Sequence, residues 1–215
     1  MTNYYPIYLQ LNQQPCIVIG GGKIAEGKVD GLLAADATVK IISPELTPHL
    51  HELVEQNKIE YVAREYQHGD LTGAFMVICA TDKAEINHQV WQEGSANHQM
   101  VNVVDDTPRC NFIAAAILRK GDLSIAISTG GKAPALAVRL KERLEREIGP
   151  ENERFLELAG KLRAPLAHHI PDFETRKKLW YEIVDSNVLD LLAHGEEAKA
   201  IELISEKVGF SFQPV

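Results

Sequence analysis

The sequence predicts an α/β chain in which a parallel sheet comes first and helices follow. Three observations carry this. Five short runs rich in β-branched residues recur through the first half: Cys16 to Ile19, Val39 to Ile42, Ile59 to Val62, Phe75 to Cys79 and Met100 to Val104. Helical patterns fill at least two of the gaps, and strands alternating with helices imply a parallel sheet with right-handed crossovers. After Val104 the rhythm changes to a hairpin signal and then to charged, amphipathic sequence poor in strand formers.

Each element has its own warrant. Beyond the first run, Ala25, Val29, Leu32 and Leu33 fall at helical spacing and form an apolar stripe suited to packing on a sheet. Asn111 to Lys120 and Leu123 to Thr129 read as two strands joined at Gly121-Asp122. Gly130-Gly131 and Pro134 then open a helix whose Leu136, Leu140 and Leu144 share a face, and it closes near Gly149-Pro150. From Glu151 onward helices alone are expected.

Composition narrows the function. At 215 residues and 45% apolar content the chain can bury one large core or two modest ones. A net charge of -8 argues against nucleic acid or an anionic membrane as the main partner. Cys16, Cys79 and Cys110 lie far apart, with neither a metal spacing nor a disulfide framework. The start MTNYYPIYLQL has no basic n-region or long apolar h-region, and no apolar stretch reaches the length of a membrane span. The reducing cytoplasm is therefore the expected compartment. His49, His51, His88, His98, His168 and His169 lack zinc-ligand spacing and read as solvated surface, so no resident metal is expected.

The first run leads directly into Gly20-Gly21-Gly22-Lys23-Ile24-Ala25, a G-x-G-x-x-A turn between a strand and an amphipathic helix. That context fits a Rossmann-type dinucleotide site: Gly20 for the tight turn, Gly22 for close approach of the pyrophosphate, and Ala25 for helix-sheet packing. After the second run come Ser43, Pro44 and Glu45. Either Glu45 or the Ser43 hydroxyl is expected to hold the ribose, and the lack of a nearby arginine favours NAD over NADP. Thr81 and Asp82 follow the fourth run at the edge where such sheets bind ligands, and they also suit a helix cap.

The fifth run delivers Asp105 and Asp106 to the same edge, where a carboxylate can exchange a proton during hydride transfer. The residue types alone do not choose between the two. Ser128-Thr129-Gly130-Gly131-Lys132 offers a hydroxyl, a lysine and a helix start to an anion. Arg109, Arg119, Lys120, Lys132, Arg139 and Lys141 concentrate positive charge around it in an otherwise acidic protein.

The segments YPIYLQL, CIVIGGGKIAEGK, CATD, NVVDD and SIAISTGGKAPALAVRLKERLE, in that order and spacing, resemble the precorrin-2 dehydrogenase family. This family also forms the dehydrogenase/ferrochelatase part of siroheme synthases. The likeness is strong over residues 4–150 and continues more weakly through KLRAPLA and RKKLWYEIV. It implies NAD-dependent oxidation of precorrin-2 to sirohydrochlorin by a homodimer, with ferrous iron insertion as an additional family activity. It further implies a Rossmann domain over 1–112, a dimerisation region over 113–149 and a helical domain over 150–215. By resemblance, cofactor contacts fall on Gly22, Lys23, Ile24, Pro44 and Glu45, and the shared catalytic aspartate on Asp105. The substrate's carboxylates are expected at Arg109, Arg119, Thr129, Gly130 and Lys132. A regulatory serine of some relatives is Thr129 here, and the chain's length leaves no room for their methyltransferase domain. The rival readings are a non-catalytic NAD-sensing module, which needs neither NVVDD nor the STGG hairpin, and a different small-substrate dehydrogenase.

Overall fold

The computed structural model describes residues 4–214. The chain divides into two compact units, the first ending at Ala114 and the second beginning at Ala115.

The first unit is a five-stranded parallel sheet, order β3-β2-β1-β4-β5. Its strands are β1 (Pro15–Ile19), β2 (Thr38–Ile42), β3 (Ile59–Val62), β4 (Met76–Cys79) and β5 (Met100–Val103). Helices α1 (Lys23–Leu33), α2 (Pro48–Glu55) and α3 (Ala84–Ala96) supply the crossovers. Alternation along β1 decides which face each residue covers. Cys16 and Val18 join the core that includes Ala25, Val29 and Leu32 of α1, whereas Ile17 and Ile19 join the core that includes Val90 of α3. Both faces are thereby buried, as a parallel sheet requires.

The connection from β3 to β4 has no helix, so its backbone groups need other partners. The Arg64 guanidinium donates two hydrogen bonds to Asp70, each 2.7 Å. Buried Glu93 of α3 accepts from the N–H groups of Gly69 and Leu71 at 2.8 and 3.1 Å and from the Tyr66 hydroxyl. Gln99 donates to the carbonyls of Leu71 and Ala74 at 2.6 and 2.8 Å. Side chains thus replace the internal ladder of a missing helix.

The expected strand from Asn111 is shorter, because β6 spans Ala116–Lys120. Residues 110–112 instead fasten the edge of β5. Asn111 accepts from Val101 N–H at 2.8 Å and donates to the Gln99 carbonyl at 2.7 Å, while Asn102 donates to the Phe112 carbonyl at 3.0 Å. Asparagine side chains that pair with backbone compete with continuing a ladder.

In the second unit β6 pairs antiparallel with β7 (Leu123–Ile127), and α4 (Pro134–Glu147) follows. The remaining helices are α5 (Pro150–His169), α6 (Phe173–Val184), α7 (Val188–Ala193) and α8 (Glu197–Val208). Leu158, Leu162 and Leu166, one turn apart on α5, are fully buried in a core with Ile183, Val188 and Ile204. No helix of the described residues is long and apolar enough to cross a membrane.

Candidate active site

A cleft of about 1160 Å³ opens in the first unit at the carboxyl ends of the strands. It lies where the strand order reverses around β1, the crevice in which open α/β sheets take their ligands. Gly20, Gly22, Lys23, Ile24, Ser43, Pro44, Glu45, Thr81, Asp82 and Asp105 all line it.

The three glycines of the turn meet different surroundings. Gly20 has φ +106° and donates to the Ile42 carbonyl at 2.9 Å, and a Cβ there would lie 2.3 Å from the Ala80 carbonyl oxygen. A Cβ on Gly21 would lie 2.1 Å from the Glu45 carbonyl oxygen. At Gly22, by contrast, a Cβ would meet nothing within 4 Å, and no side chain caps α1. The first-turn N–H groups of α1 therefore face the cleft across a space kept clear of side chain. That arrangement fits a pyrophosphate, whose charge suits both the donors and the helix dipole.

On the other side of the turn Ser43 is buried, and its hydroxyl donates to the Glu45 carbonyl at 2.7 Å. Of the two residues expected at the ribose, Glu45 is the one left exposed. Thr81 does not cap α3, whose N-cap is Lys83 with no side-chain cap. Its hydroxyl accepts from Lys83 N–H at 2.9 Å, closing a turn ahead of the helix. Asn87 secures that turn by donating to the Thr81 carbonyl at 3.1 Å.

The two aspartates differ. Asp106 is ion-paired with Arg109. Asp105 is exposed, has φ +60° and has no hydrogen-bond or ion-pair partner among the described residues. Aspartate is among the few residues that tolerate this left-handed backbone as a single position. Burial pushes the Cys79 thiol up to about 12 and the Cys16 thiol to about 11, so neither is a nucleophile.

Sequence reading missed several lining residues, including Glu65, Tyr66, Lys83 and Asn87. Glu65 and Tyr66 sit on the irregular β3–β4 connection, which has no periodicity to signal them. Lys83 and Asn87 had a signal, lying at the start of α3 and one turn apart. Arg109 lies in the turn Thr107–Arg109 after β5. Arg119, Thr129, Gly130 and Lys132 belong to the second unit. The expected concentration of positive charge is partly neutralised: Arg109 pairs with Asp106, Arg139 with Glu142 at 2.6 Å and Lys141 with Glu145 at 3.3 Å. On α4 the acids lie three or four residues on, where a helical turn brings them alongside, whereas Asp106 precedes Arg109 by three. The loop before α4 is also occupied by its own side chains. Ser128 accepts from Gly130 N–H and Thr129 from Ala133 N–H, each at 3.1 Å. Among the histidines read as solvated, His49 pairs with Asp30 at 2.9 Å and His169 stacks on Phe210 with ring centroids 4.2 Å apart.

Three family models match consecutive stretches. One described as "Putative NAD(P)-binding" covers residues 7–116, "Sirohaem biosynthesis protein central" covers 120–147 and "Sirohaem synthase dimerisation region" covers 153–208. The chain is 38% identical over 198 residues to a siroheme synthase of Photobacterium profundum, covering 92% of this chain and 42% of that protein. It is 33% identical over 213 residues to one of Actinobacillus pleuropneumoniae serotype 3, covering 99% and 44%. It thus spans less than half the length of these curated relatives. Among solved structures, SirC, precorrin-2 dehydrogenase, shares the fold with a TM-score of 0.77 at 24% identity, covering 94% of this chain and 100% of that one. With a crevice built for a dinucleotide and a first family model spanning half its length, the chain belongs to the NAD(P)-binding family, in the form that continues into the sirohaem-synthase central and dimerisation regions.

Proposed function

We propose that this chain oxidises precorrin-2 to sirohydrochlorin with NAD. The observation that carries the reading is Asp105, an unpartnered carboxylate at the end of β5 on the same cleft as the open Gly22. The names of the similar siroheme synthases and of SirC support the choice of substrate.

Bound NAD supplies the hydride acceptor. The N–H groups of Lys23 and Ile24 hold the pyrophosphate, and the missing Cβ of Gly22 lets it approach. Glu45 accepts from the ribose hydroxyls, since the Ser43 hydroxyl is committed to a carbonyl. Among the described residues no arginine lines the cleft, and an acidic ribose contact repels a 2′-phosphate, which favours NAD over NADP. Thr81 and Asp82 form the opposite wall. Asp105 takes a proton from the macrocycle as hydride leaves it, then passes that proton to solvent. The substrate loses one hydride and one proton, giving NADH and a released proton.

In this reading residues 1–112 hold the cofactor, 113–149 form a dimerisation region and 150–215 a helical domain, although the stretch matching the sirohaem synthase dimerisation model is 153–208, within the last of these. The substrate's carboxylates are assigned to the cations Arg109, Arg119 and Lys132; Thr129 and Gly130, expected beside them, are engaged in hydrogen bonds of their own loop. A homodimer is part of the proposal: Leu136 and Leu140 on α4 are 52% and 39% exposed, an apolar face suited to a second copy. Three free thiols fit a cytoplasmic setting. Insertion of ferrous iron, as a substrate, is a second activity that the same unpartnered Asp105 can serve by taking up porphyrinoid protons.

The test is anaerobic: precorrin-2 generated in situ, this protein and NAD, followed by absorbance before and after ferrous iron. Sirohydrochlorin formed only with NAD is expected. NADH binding without oxidation would leave the NAD-sensing module or another dehydrogenase. Asp105→Ala should retain NADH binding and lose about a hundredfold or more in turnover, and full turnover would remove Asp105 from the mechanism.

A further inference from the structure

The cleft is acidic for a site that takes a pyrophosphate. Glu45, Glu65, Asp82, Asp105 and Asp106 line it, and among the described residues its cations are Lys23 and Lys83. Both ammonium groups are engaged. Lys23 is ion-paired with Glu26 inside the first turn of α1, and Lys83, the N-cap of α3, is ion-paired with Glu65.

The second pair is not local, and the proposed mechanism uses neither of its members. Glu65 sits on the irregular connection after β3, whereas Lys83 follows β4, 18 residues on. In the order β3-β2-β1-β4-β5 the ends of β2 and β1 lie between those two strands. The bridge thus crosses the interval of the carboxyl ends of β2 and β1, and β2 is the strand whose loop carries Glu45 at the ribose. A 2′-phosphate on that ribose, the group that separates NADP from NAD, needs a cation beside it. A free lysine serves phosphate well as a point charge. Held by Glu65, Lys83 does not: the phosphate would have to separate an ion pair and lie among the carboxylates of Glu65 and Glu45.

We propose that Glu65 is a specificity-determining residue: by holding the Lys83 ammonium across the cleft it denies a partner to a 2′-phosphate and makes the site select NAD over NADP. Discrimination then has two parts, as selective sites commonly do. Glu45 favours the ribose hydroxyls of the right cofactor, and Glu65 withholds the cation that the wrong one requires. The pyrophosphate is little affected, because its donors are the backbone N–H groups at the start of α1. The inference rests on the dinucleotide reading of the cleft and adds to it the residue that chooses between the two nucleotides.

The experiment titrates the full-length protein with NADH and, separately, with NADPH, followed by nucleotide fluorescence, so no tetrapyrrole is needed. Wild type must bind NADH; absence of binding would overturn the dinucleotide reading itself. It should bind NADPH more weakly, and equal affinities would overturn the inference alone. In Glu65→Gln the Kd for NADPH should fall relative to that for NADH by about fivefold, the upper end of what an exposed ion pair is worth. Adding Lys83→Gln to that variant should return the ratio to its wild-type value, because the gain belongs to the freed ammonium. The gain should also shrink as salt is raised. A ratio unmoved in Glu65→Gln, or a gain that survives Lys83→Gln, would overturn the inference. Both side chains are about half exposed, so losing the pair costs the fold little. Partial unfolding would weaken both nucleotides alike, so their ratio reads the site and not the fold.

Discussion

Two glycine-rich turns precede helices in this chain, Gly20–Gly22 before α1 and Gly130–Gly131 before α4, and they are built on opposite principles. In the first, neighbouring backbone demands glycine at two positions, while the third is open and no side chain caps the helix. In the second, Gly130 meets nothing within 4 Å and α4 also has no side-chain cap, yet Ser128 and Thr129 take up the N–H groups of Gly130 and Ala133 in the loop itself. A turn whose donors are left for a ligand differs from a turn that satisfies its own donors. Glycine count cannot separate them, but the partner of each N–H does.

The sharpest way to break this comparison is Gly21→Ala. The new Cβ would overlap the Glu45 carbonyl, so about 2–3 kcal/mol of stability should be lost, read by thermal melting, together with NADH binding. A variant that melts like wild type would show that the glycine turn is not pressed against Glu45. Gly22→Ala sharpens it from the other side. Its Cβ has open space, so the melting temperature should hold while NADH affinity falls about tenfold or more. An unchanged affinity would mean that no ligand approaches that backbone.

Smaller effects test the second turn and the pairing of α1 with α2. Thr129→Ala removes one partly exposed hydrogen bond and should cost about 0.5–1 kcal/mol; no loss would mean the loop before α4 does not depend on its own hydroxyl. His49 on α2 is bonded to Asp30 on α1, and that carboxylate raises the imidazole above its ordinary value. A raised folded-state pKa gives stability that is complete below the unfolded value of about 6.5 and lost as pH rises through the folded one. Wild type should therefore exceed His49→Ala in melting temperature by more at pH 5.5 than at pH 8.5. Equal differences at both would remove the ion pair from the account.

Much of this was legible in the residues. The run CIVIGGGKIA carries the strand, the turn and the helix in consecutive positions, and local alternation and helical spacing place them without reference to distant contacts. Asp105 was legible as a carboxylate at a strand end. Its preference over Asp106 came from the family resemblance alone; that Arg109 folds back three residues to occupy the second acid was not legible. The irregular path from Val62 to Met76 was illegible as well. It is held by Glu93 and Gln99, more than twenty residues away in sequence, and no local pattern announces a side chain that substitutes for a helix.

By itself, then, the sequence determined what depends on neighbours along the chain: strand and helix periods, the glycine turn, the switch from sheet to helices and the position of the acid edge. Only the tertiary structure decided which polar groups remain available. It committed Ser43 to a carbonyl, Asp106 to an arginine and Thr129 to an N–H, and it left Gly22, Glu45 and Asp105 open on one cleft. The physical reason is that a hydrogen-bonding group is defined by its partner, and partners are chosen by folding in three dimensions.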